Sequence, residues 1–593
     1  MCGIIGYSGT REAGPILLSG LKALEYRGYD SAGVASVCGN RIQVRKEVGK
    51  IDEIESRLFF SHLPGKAGVG HTRWATHGGV TKENAHPHVS CEGKIAVVHN
   101  GIIENFEELR SRLMNDGHSF ASETDTEVIP HLIEEAYCKG VSAEEAVRRA
   151  VLQLKGSFAV LVLFLDHPDK IIAARKDSPL VLGLAEHGLF IASDSTPFLP
   201  HTRKAIFIND GELVVINSGG YGFFDLQTGK PVIKSPSELG WTAEQAQKNG
   251  FPHFMLKEIF EQPSAMRNCL SQDLTRVGEF ANELKNAQKI LVTACGTSRH
   301  AALVGKHVFD RMAGKQMEVV IASEFSYFAE NVSPDTLVLA LSQSGETADV
   351  LDGVRKAKKN NCRILSIVNV VGSTLDRLSD LSLHLNCGPE IGVAATKSFS
   401  NQLTLFYLLA FAMAGRVREG ASQLNALSYA AEQLAVDSNG RMRVLALKLK
   451  DKQHAFFIGR GVNFPIALEG ALKLKEISYI HAEGMPAGEL KHGTIALIEK
   501  GTPVIALNPK DYTYYDTFGN ALETKARGAF LIGMGNKNNS AYDEFIALPE
   551  PNNELFYPLF ETIPLQLLAY HAAVTRGLDP DKPRNLAKSV TVK

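Results

Sequence analysis

The sequence has no apolar run long enough to cross a bilayer as a helix, which takes about 20 residues. It has no basic segment leading into an apolar one near its start, so no secretory leader is expected. Its eight cysteines (Cys2, Cys38, Cys91, Cys138, Cys269, Cys295, Cys362 and Cys387) are scattered, and no two stand at CxxC spacing. That spacing offers neither a disulfide framework nor a zinc motif, so the expectation is a reduced, cytoplasmic setting and no metal site. Neither sign of charge dominates: 63 Lys and Arg stand against 65 Asp and Glu. The balance gives no electrostatic reason to expect nucleic acid or a membrane surface as partner. There is no GxxxxGK[ST], which argues against a nucleoside triphosphate site, and no helix-turn-helix pattern.

What is present is a chain of 593 residues, 44% hydrophobic and 22% charged, the composition of a soluble globular protein. Its length exceeds one core, and about three to five domains are expected. It opens Met1-Cys2-Gly3-Ile4-Ile5-Gly6. Trimming of Met1 before a small residue leaves Cys2 with a free α-amine beside its thiol. The amine has an ordinary pKa of about 7.7–8.0 and the thiol about 8.5, so proton transfer between them near neutral pH is cheap. A nucleophile activated by its own terminal amine is a workable catalytic unit.

Residues 2–219 read as short strands and turns with helices between, the pattern of stacked antiparallel sheets covered by helices. Three polar clusters stand out. His71-Thr72-Arg73-Trp74-Ala75-Thr76-His77-Gly78 offers a guanidinium fork for a carboxylate. His99-Asn100-Gly101, placed just after an apolar strand at Lys94 to Val98, offers a side-chain amide and a glycine N–H for an oxyanion. Ser122-Glu123-Thr124-Asp125-Thr126-Glu127 offers carboxylates for an ammonium. Each has a plainer reading by itself: a surface ion pair, a type I′ turn, a helix capping box. Together they supply what opening the amide of a free amino acid requires.

These residues, with Glu25 to Gly33, resemble the class II, N-terminal-nucleophile glutamine amidotransferases. The resemblance implies an αββα sandwich in which Cys2 attacks the glutamine amide. It implies that Asn100 and Gly101 steady the oxyanion, that Arg73, Thr76, His77 and Asp125 bind glutamine, and that Trp74 gates released ammonia.

Residues 220–256 lose regular patterning and read as a linker, with loop chemistry at Ser235 to Gly240 and Asn249 to Pro252. A helical stretch opens at His253. From Lys289 the pattern becomes strand, turn, helix: Lys289–Ala294, Thr336–Leu341 and Arg363–Val368 are buried strands, and repeated βα units give a doubly wound parallel sheet. Ligands bind beyond the carboxyl ends of such strands. There Ser342, Ser344 and Thr347 offer hydroxyls beside helix N–H groups, which suits a phosphate, with helix capping as the plainer reading. A second such unit follows, with a strand at His454 to Ile458 and a helix through Ala467 to Tyr479. Ala322-Ser323-Glu324-Phe325 and His481-Ala482-Glu483-Gly484 fall at similar offsets, which points to a duplication. Glu469, Lys473 and Glu476 share one helix face, with surface salt-bridging as the plainer reading.

Ser342-Gln343-Ser344-Gly345-Glu346-Thr347 and the doubling resemble tandem sugar isomerase (SIS) domains, at 281–420 and 446–583. With the glutaminase segment and the tail 584–593, nearly the whole chain is similar to the isomerising glutamine–fructose-6-phosphate aminotransferases. That resemblance implies that Ser298, Ser342, Gln343, Ser344 and Thr347 hold the sugar phosphate and that Thr297, Val393 and Ala587 line the sugar. Lys588 would form a Schiff base at C2, Glu476 would move a proton between C1 and C2, and Glu469 and Lys473 would support it. His492, from the second subunit of a homodimer, would assist ring opening. No cofactor is implied. Thr494 stands where the family commonly has proline, the stretch from Lys510 to Tyr542 looks shortened, and the hinge lacks the insertion of eukaryotic forms. The last point leads to the expectation of a bacterial-type enzyme without nucleotide-sugar feedback. Three other readings are weaker. An isomerase with a degenerate glutaminase conflicts with the intact Cys2, Arg73, Asn100 and Asp125. A phosphoribosylamine-forming enzyme lacks its pyrophosphate loops. A sugar-phosphate sensor leaves Lys588 unexplained.

Overall fold

The computed structural model describes residues 2–239 and 247–591. Met1, Gly240 of the expected linker, and Val592 and Lys593 of the expected tail lie outside the described residues. Two compact units form: one carries the described residues 2–239 with 346–348 and 589–591, the other 247–345 and 349–588.

The first unit is built on two antiparallel sheets. One runs, edge to edge, Ser237–Glu238, Lys204–Phe207, Val181–Ala185, Gly188–Ala192, Gly3–Gly9, Ala67–Arg73, Ser31–Cys38, Arg41–Val48. The other runs Pro231–Val232, Gly220–Asp225, Glu212–Asn217, His167–Lys176, Gly156–Phe164, Ile95–Ile103, His88–Val89. Strand alternation sends successive side chains to opposite faces, and the burial follows it. Ile4 and Val69 of one sheet meet Ala96, Val98 and Leu161 of the other in a core between the sheets. Ile5, Tyr7 and Val34 point the other way, onto Leu17 and Leu21 of the helix Ala13–Leu24. Val97, Val160 and Val162 point outward from the second sheet onto Ile129, Leu132 and Val147 of the helices Val128–Tyr137 and Ala143–Val151. Helix, sheet, sheet and helix layers are the αββα architecture that the sequence implied. The strand Gly3–Gly9 is interior to its sheet, which holds Cys2 against the end of Ala67–Arg73.

The second unit contains two parallel five-stranded sheets. The first is ordered Glu318–Ile321, Lys289–Ala294, Thr336–Ser342, Arg363–Val368, Leu381–His384, and the second His481–Pro486, His454–Gly459, Pro503–Leu507, Phe530–Gly535, Glu544–Ala547. Numbered along the chain, both have the order 2-1-3-4-5, a doubly wound topology whose ligand crevice lies between the first and third strands. The duplication is therefore topological, although the sequence pairing was displaced. Ala322 to Phe325 begins the helix Ala322–Phe328, whereas His481 to Gly484 lies in a strand whose counterpart is Glu318–Ile321. The helix Val417–Leu449, largely outside both expected SIS segments, packs with Phe254–Leu270 and Tyr557–Thr575. Together they close one apolar core shared by both halves.

Candidate active sites

In the first unit the sheet register places the N-terminal residues. Gly3 pairs with Thr72, and its N–H donates to Thr72 Oγ1 at 3.1 Å. Cys2 is thereby half-buried beside Trp74, whose N–H donates to Cys2 Sγ at 3.3 Å. The Cys2 carbonyl accepts Asn100 Nδ2 at 3.0 Å and Arg27 Nε at 3.2 Å. Asn100 and Gly101 lie within the strand Ile95–Ile103, opposite Ala159 and Phe158, and form no turn after it. Gly101 has φ +130°, and a Cβ there would meet Ser157 O at 2.1 Å, so only glycine fits. Burial pushes the Cys2 thiol up, while the Trp74 N–H and the Arg73 charge pull it down. A thiol so placed needs a local base.

Arg73 is buried, and its guanidinium braces the loop that follows it, donating to the carbonyls of His77 at 2.5 Å, Gly78 at 3.2 Å and Gly79 at 2.9 Å. Asp125, also buried, accepts the Ile103 N–H at 2.8 Å, and its charge, like that of Arg73, reaches Cys2. Trp74 stands edge-on to Tyr29, with ring centroids 5.6 Å apart. Thr76 is exposed and His77 is half-buried against Phe106. The expected capping box does not form: Thr124 at the N-cap makes no side-chain cap, and Glu127 reaches past it to the N–H groups of Ala121 and Ser122.

Sequence reasoning missed the layer behind this site. His86 stacks on His71 with centroids 4.0 Å apart, and Thr126 Oγ1 joins His86 Nε2 at 3.0 Å to His99 Nδ1 at 2.8 Å. Desolvation keeps these rings neutral: His71 is pushed down to about 3, and His86 and His99 are also lowered. Asn84 ties Gly79 to Glu123. The run Glu83-Asn84-Ala85-His86-Pro87-His88 was the only signal available.

In the second unit the Lys588 side chain is 6% exposed, and its Nζ donates to Glu390 Oε2 at 2.5 Å. Glu390 also accepts the N–H groups of Thr396 at 3.0 Å and Ser398 at 2.9 Å, and Ser398 Oγ at 2.8 Å. Burial alone would raise this carboxyl, but the Lys588 ammonium and those donors hold it down. Glu258 lies behind it, accepting the Ile391 N–H at 2.6 Å; burial first, then the Glu390 charge, push it up to about 7. The segment leading into the tail is clasped through Asp581, which accepts the Phe254 and Met255 N–H groups, each at 2.8 Å, at the head of a helix.

Lys473 donates to Glu476 at 2.7 Å and lies 3.5 Å from Glu469, and Glu469 and Lys473 are both buried, unlike the surface pairs of the plainer reading. Burial would lower Lys473, but Glu476 and Glu469 carry it up to about 12. The charge of Glu390 also acts on it, which links this helix to Lys588. Glu469 accepts Thr297 Oγ1 at 3.0 Å and faces His300 Nδ1 at 2.7 Å, joining the two halves. Ser298 Oγ accepts Gln402 Nε2 at 2.8 Å. Ser342 Oγ accepts the Gly345 N–H at 3.0 Å and lies 3.5 Å from Ser344 Oγ. Gly345 has φ +68°, and a Cβ would strike Ser373 Oγ at 2.0 Å, so this turn too requires glycine. Gln343 and Thr347 are half-buried on the same turn, and Val393 donates its N–H to the Asp581 carbonyl at 3.4 Å. Ala587 is half-buried beside Lys588. His492 is exposed at the end of the turn Ala487–His492, and within one chain it has no described bond to this cluster.

The matching crevice of the second sheet is different. After Pro503–Leu507 the turn carries Asp511, which accepts Asn463 Nδ2 at 2.7 Å and the Thr513 N–H at 2.8 Å. A carboxylate stands on this turn where the first sheet presents hydroxyls, and its charge suits an anion less. Glu258, Glu390, His300 and Gln402 were also missed. Each is an unremarked polar residue until folding buries it.

Residues 71–200 match the glutamine amidotransferase domain family, and residues 283–412 and 448–576 each match the SIS domain family. The chain thus combines an amidotransferase domain with a doubled sugar-phosphate domain. A protein of Thermococcus kodakarensis called glutamine–fructose-6-phosphate aminotransferase (isomerizing) is 50% identical over 603 aligned positions, spanning 100% of both chains. One of the same name from Pyrococcus horikoshii is 48% identical, again over 100% of both. The solved C-terminal domain of glucosamine-fructose-6-phosphate aminotransferase from Francisella tularensis is 37% identical with a TM-score of 0.51, covering 57% of this chain and 99% of that one. The chain belongs to the family of isomerizing glutamine–fructose-6-phosphate aminotransferases.

Proposed function

We propose that the chain converts D-fructose 6-phosphate and L-glutamine to D-glucosamine 6-phosphate and L-glutamate, the entry into amino-sugar synthesis. The observation that carries the reading is Lys588, a buried amine on the tail, paired with Glu390 beside the Glu469–Lys473–Glu476 row. A buried amine next to a hydroxyl-lined phosphate turn suits imine formation with a ketose phosphate.

At the first site Cys2 Sγ attacks the side-chain amide carbon, and the Cys2 α-amine takes the thiol proton and returns it to the departing ammonia. Asn100 Nδ2 and the Gly101 N–H receive the oxyanion. Arg73 holds the α-carboxylate and Asp125 the α-ammonium; Thr76, His77 and Trp74 close over the ligand. Water opens the thioester to glutamate. At the second site Ser298, Ser342, Gln343, Ser344 and Thr347 hold the phosphate, and Thr297, Val393 and Ala587 line the sugar. Lys588 Nζ adds to C2 with loss of water, and Glu390 accepts the proton the ammonium must lose. Ammonia then displaces the Lys588 amine by exchange at the C2 imine, and Glu476 carries a proton from C1 to C2 to give the 2-amino aldose. The amidotransferase domain runs past the expected 219, because the strands Gly220–Asp225, Pro231–Val232 and Ser237–Glu238 pair into its sheets, and the linker is shorter than the expected 220–256; the two SIS domains span 281–420 and 446–583, and the catalytic tail 584–593. The protein works as a cytoplasmic homodimer in which His492 of the partner subunit opens the sugar ring; a thiol nucleophile at Cys2 fits a reducing compartment.

The test measures glutamate and glucosamine 6-phosphate together, in wild type and Lys588→Ala. Equal yields in wild type, with loss of only the sugar product in the variant, are expected. Glutamate without amino sugar in wild type would remove the acceptor assignment and leave the glutaminase.

A further inference from the structure

Away from Cys2, the first unit brings together four side chains that can each donate one lone pair to a metal. Cys91 follows the strand His88–Val89, His118 follows the helix Phe106–Asn115, and His131 and Glu134 lie one turn apart on Val128–Tyr137. Cys91 Sγ is 3.5 Å from His118 Nδ1 and 3.5 Å from His131 Nδ1. Glu134 Oε2 is 3.5 Å from His118 Nδ1 and 3.9 Å from His131 Nδ1. All four atoms lie within 4.8 Å of one another.

These are the edges of a coordination tetrahedron. Zinc bonds of about 2.0–2.3 Å put tetrahedral ligand atoms about 3.3–3.8 Å apart. A flat square of similar side would need diagonals of about 5.1 Å, beyond the observed spread, so the square-planar arrangement of copper or nickel does not fit. Outer contacts orient the donors. Glu134 accepts the Cys91 N–H at 3.1 Å and the Glu92 N–H at 3.0 Å, which fixes the carboxylate beside the thiol. His131 turns Nε2 toward Glu127 Oε1, 3.8 Å away, and Glu127 is itself fixed by the N–H groups of Ala121 at 2.8 Å and Ser122 at 2.6 Å. A carboxylate behind the far nitrogen of a histidine is the usual support of a metal ligand.

We propose that this site binds one Zn²⁺ per chain through Cys91 Sγ, His118 Nδ1, His131 Nδ1 and Glu134 Oε2. Binding releases the thiol proton to solvent. One sulfur, two imidazoles and one carboxylate favour zinc over the hard ions calcium and magnesium. Four protein ligands close the shell, so the ion is structural. It ties the turn at Cys91 and the segment at His118 to the helix Val128–Tyr137, and Asp125 lies between the last two in the chain. The expectation of no metal rested on cysteine spacing; this set uses one cysteine, and only folding assembles it.

The test uses the full-length Cys2→Ala protein, which removes the competing nucleophile, stripped with a chelator and titrated with Co²⁺. Expected are one cobalt per chain, the visible bands of a tetrahedral centre with thiolate-to-cobalt charge transfer, and their loss on adding one equivalent of Zn²⁺. Cys91→Ser should lose the charge-transfer band, and His118→Asn the tetrahedral spectrum. Zinc should also raise the melting temperature of Cys2→Ala but not of the double variant with Cys91→Ser. Absence of stoichiometric cobalt binding in Cys2→Ala, or bands that survive Cys91→Ser, would overturn the site. Should a site variant fail to fold, the stoichiometry and spectrum of Cys2→Ala decide.

Discussion

The Glu390 carboxylate takes two backbone N–H groups, a serine hydroxyl and the Lys588 ammonium, all away from water. An amine attacks a carbonyl only when neutral, so this pairing is a resting state that substrate must relax, and Glu390 is the nearest proton acceptor. Glu390→Gln keeps the backbone hydrogen bonds and removes the charge. Amino-sugar formation should fall by about 100-fold, the scale of one lost acid–base group, while glutamine hydrolysis persists. Glu390→Asp, which restores the carboxylate, should recover part of that rate; no recovery over Glu390→Gln would make Glu390 a brace only. Lys588 was legible through its tail motif. Glu390 was not: between Pro389 and Ile391 it looks like a surface glutamate, and only burial gives it a partner.

At the level of elements, the buried strands were the most legible. Lys289–Ala294 and Arg363–Val368 appear with the expected bounds because a continuous apolar run between turns has few other uses. The strand Ile95–Ile103 runs past the expected end and carries Asn100-Gly101 inside the sheet, since pairing with Gly156–Phe164 outweighs the turn preference of Asn-Gly. The helix Val417–Leu449 was not foreseen; its apolar face is defined only by the two helices that cover it. The histidine layer behind Cys2 makes a prediction of its own. Unfolded histidine titrates near 6.5, whereas His71 is held down to about 3 and His86 is also lowered. Their stabilisation is present above about pH 6.5 and is lost as pH falls, because only the unfolded chain then gains protons. At pH 5 the neutral His71 ring costs about 2 kcal/mol. Thermal melts of wild type should therefore fall steadily from pH 7 to 5, and His86→Gln should flatten that slope. An equal slope in the variant would remove the layer from the acid response.

For the whole molecule, two unrelated architectures share one chain, and the second repeats itself with the same strand order. The repeat is asymmetric in chemistry. The first crevice offers Ser342 and Ser344, the second Asp511, and the reactive row Glu469–Lys473–Glu476 comes from the second half to serve the first. Fusion with an amidotransferase has a chemical reason, because ammonia released into water near neutral pH becomes ammonium and loses its nucleophilicity. We propose that the nitrogen of the amino sugar comes from glutamine without mixing with solvent. Amide-¹⁵N glutamine and fructose 6-phosphate, supplied with a large excess of unlabelled ammonium, test it directly. Glucosamine 6-phosphate carrying ¹⁵N undiluted is the predicted result. Product labelled only in proportion to the bulk ammonium, or no labelled product at all, would contradict it.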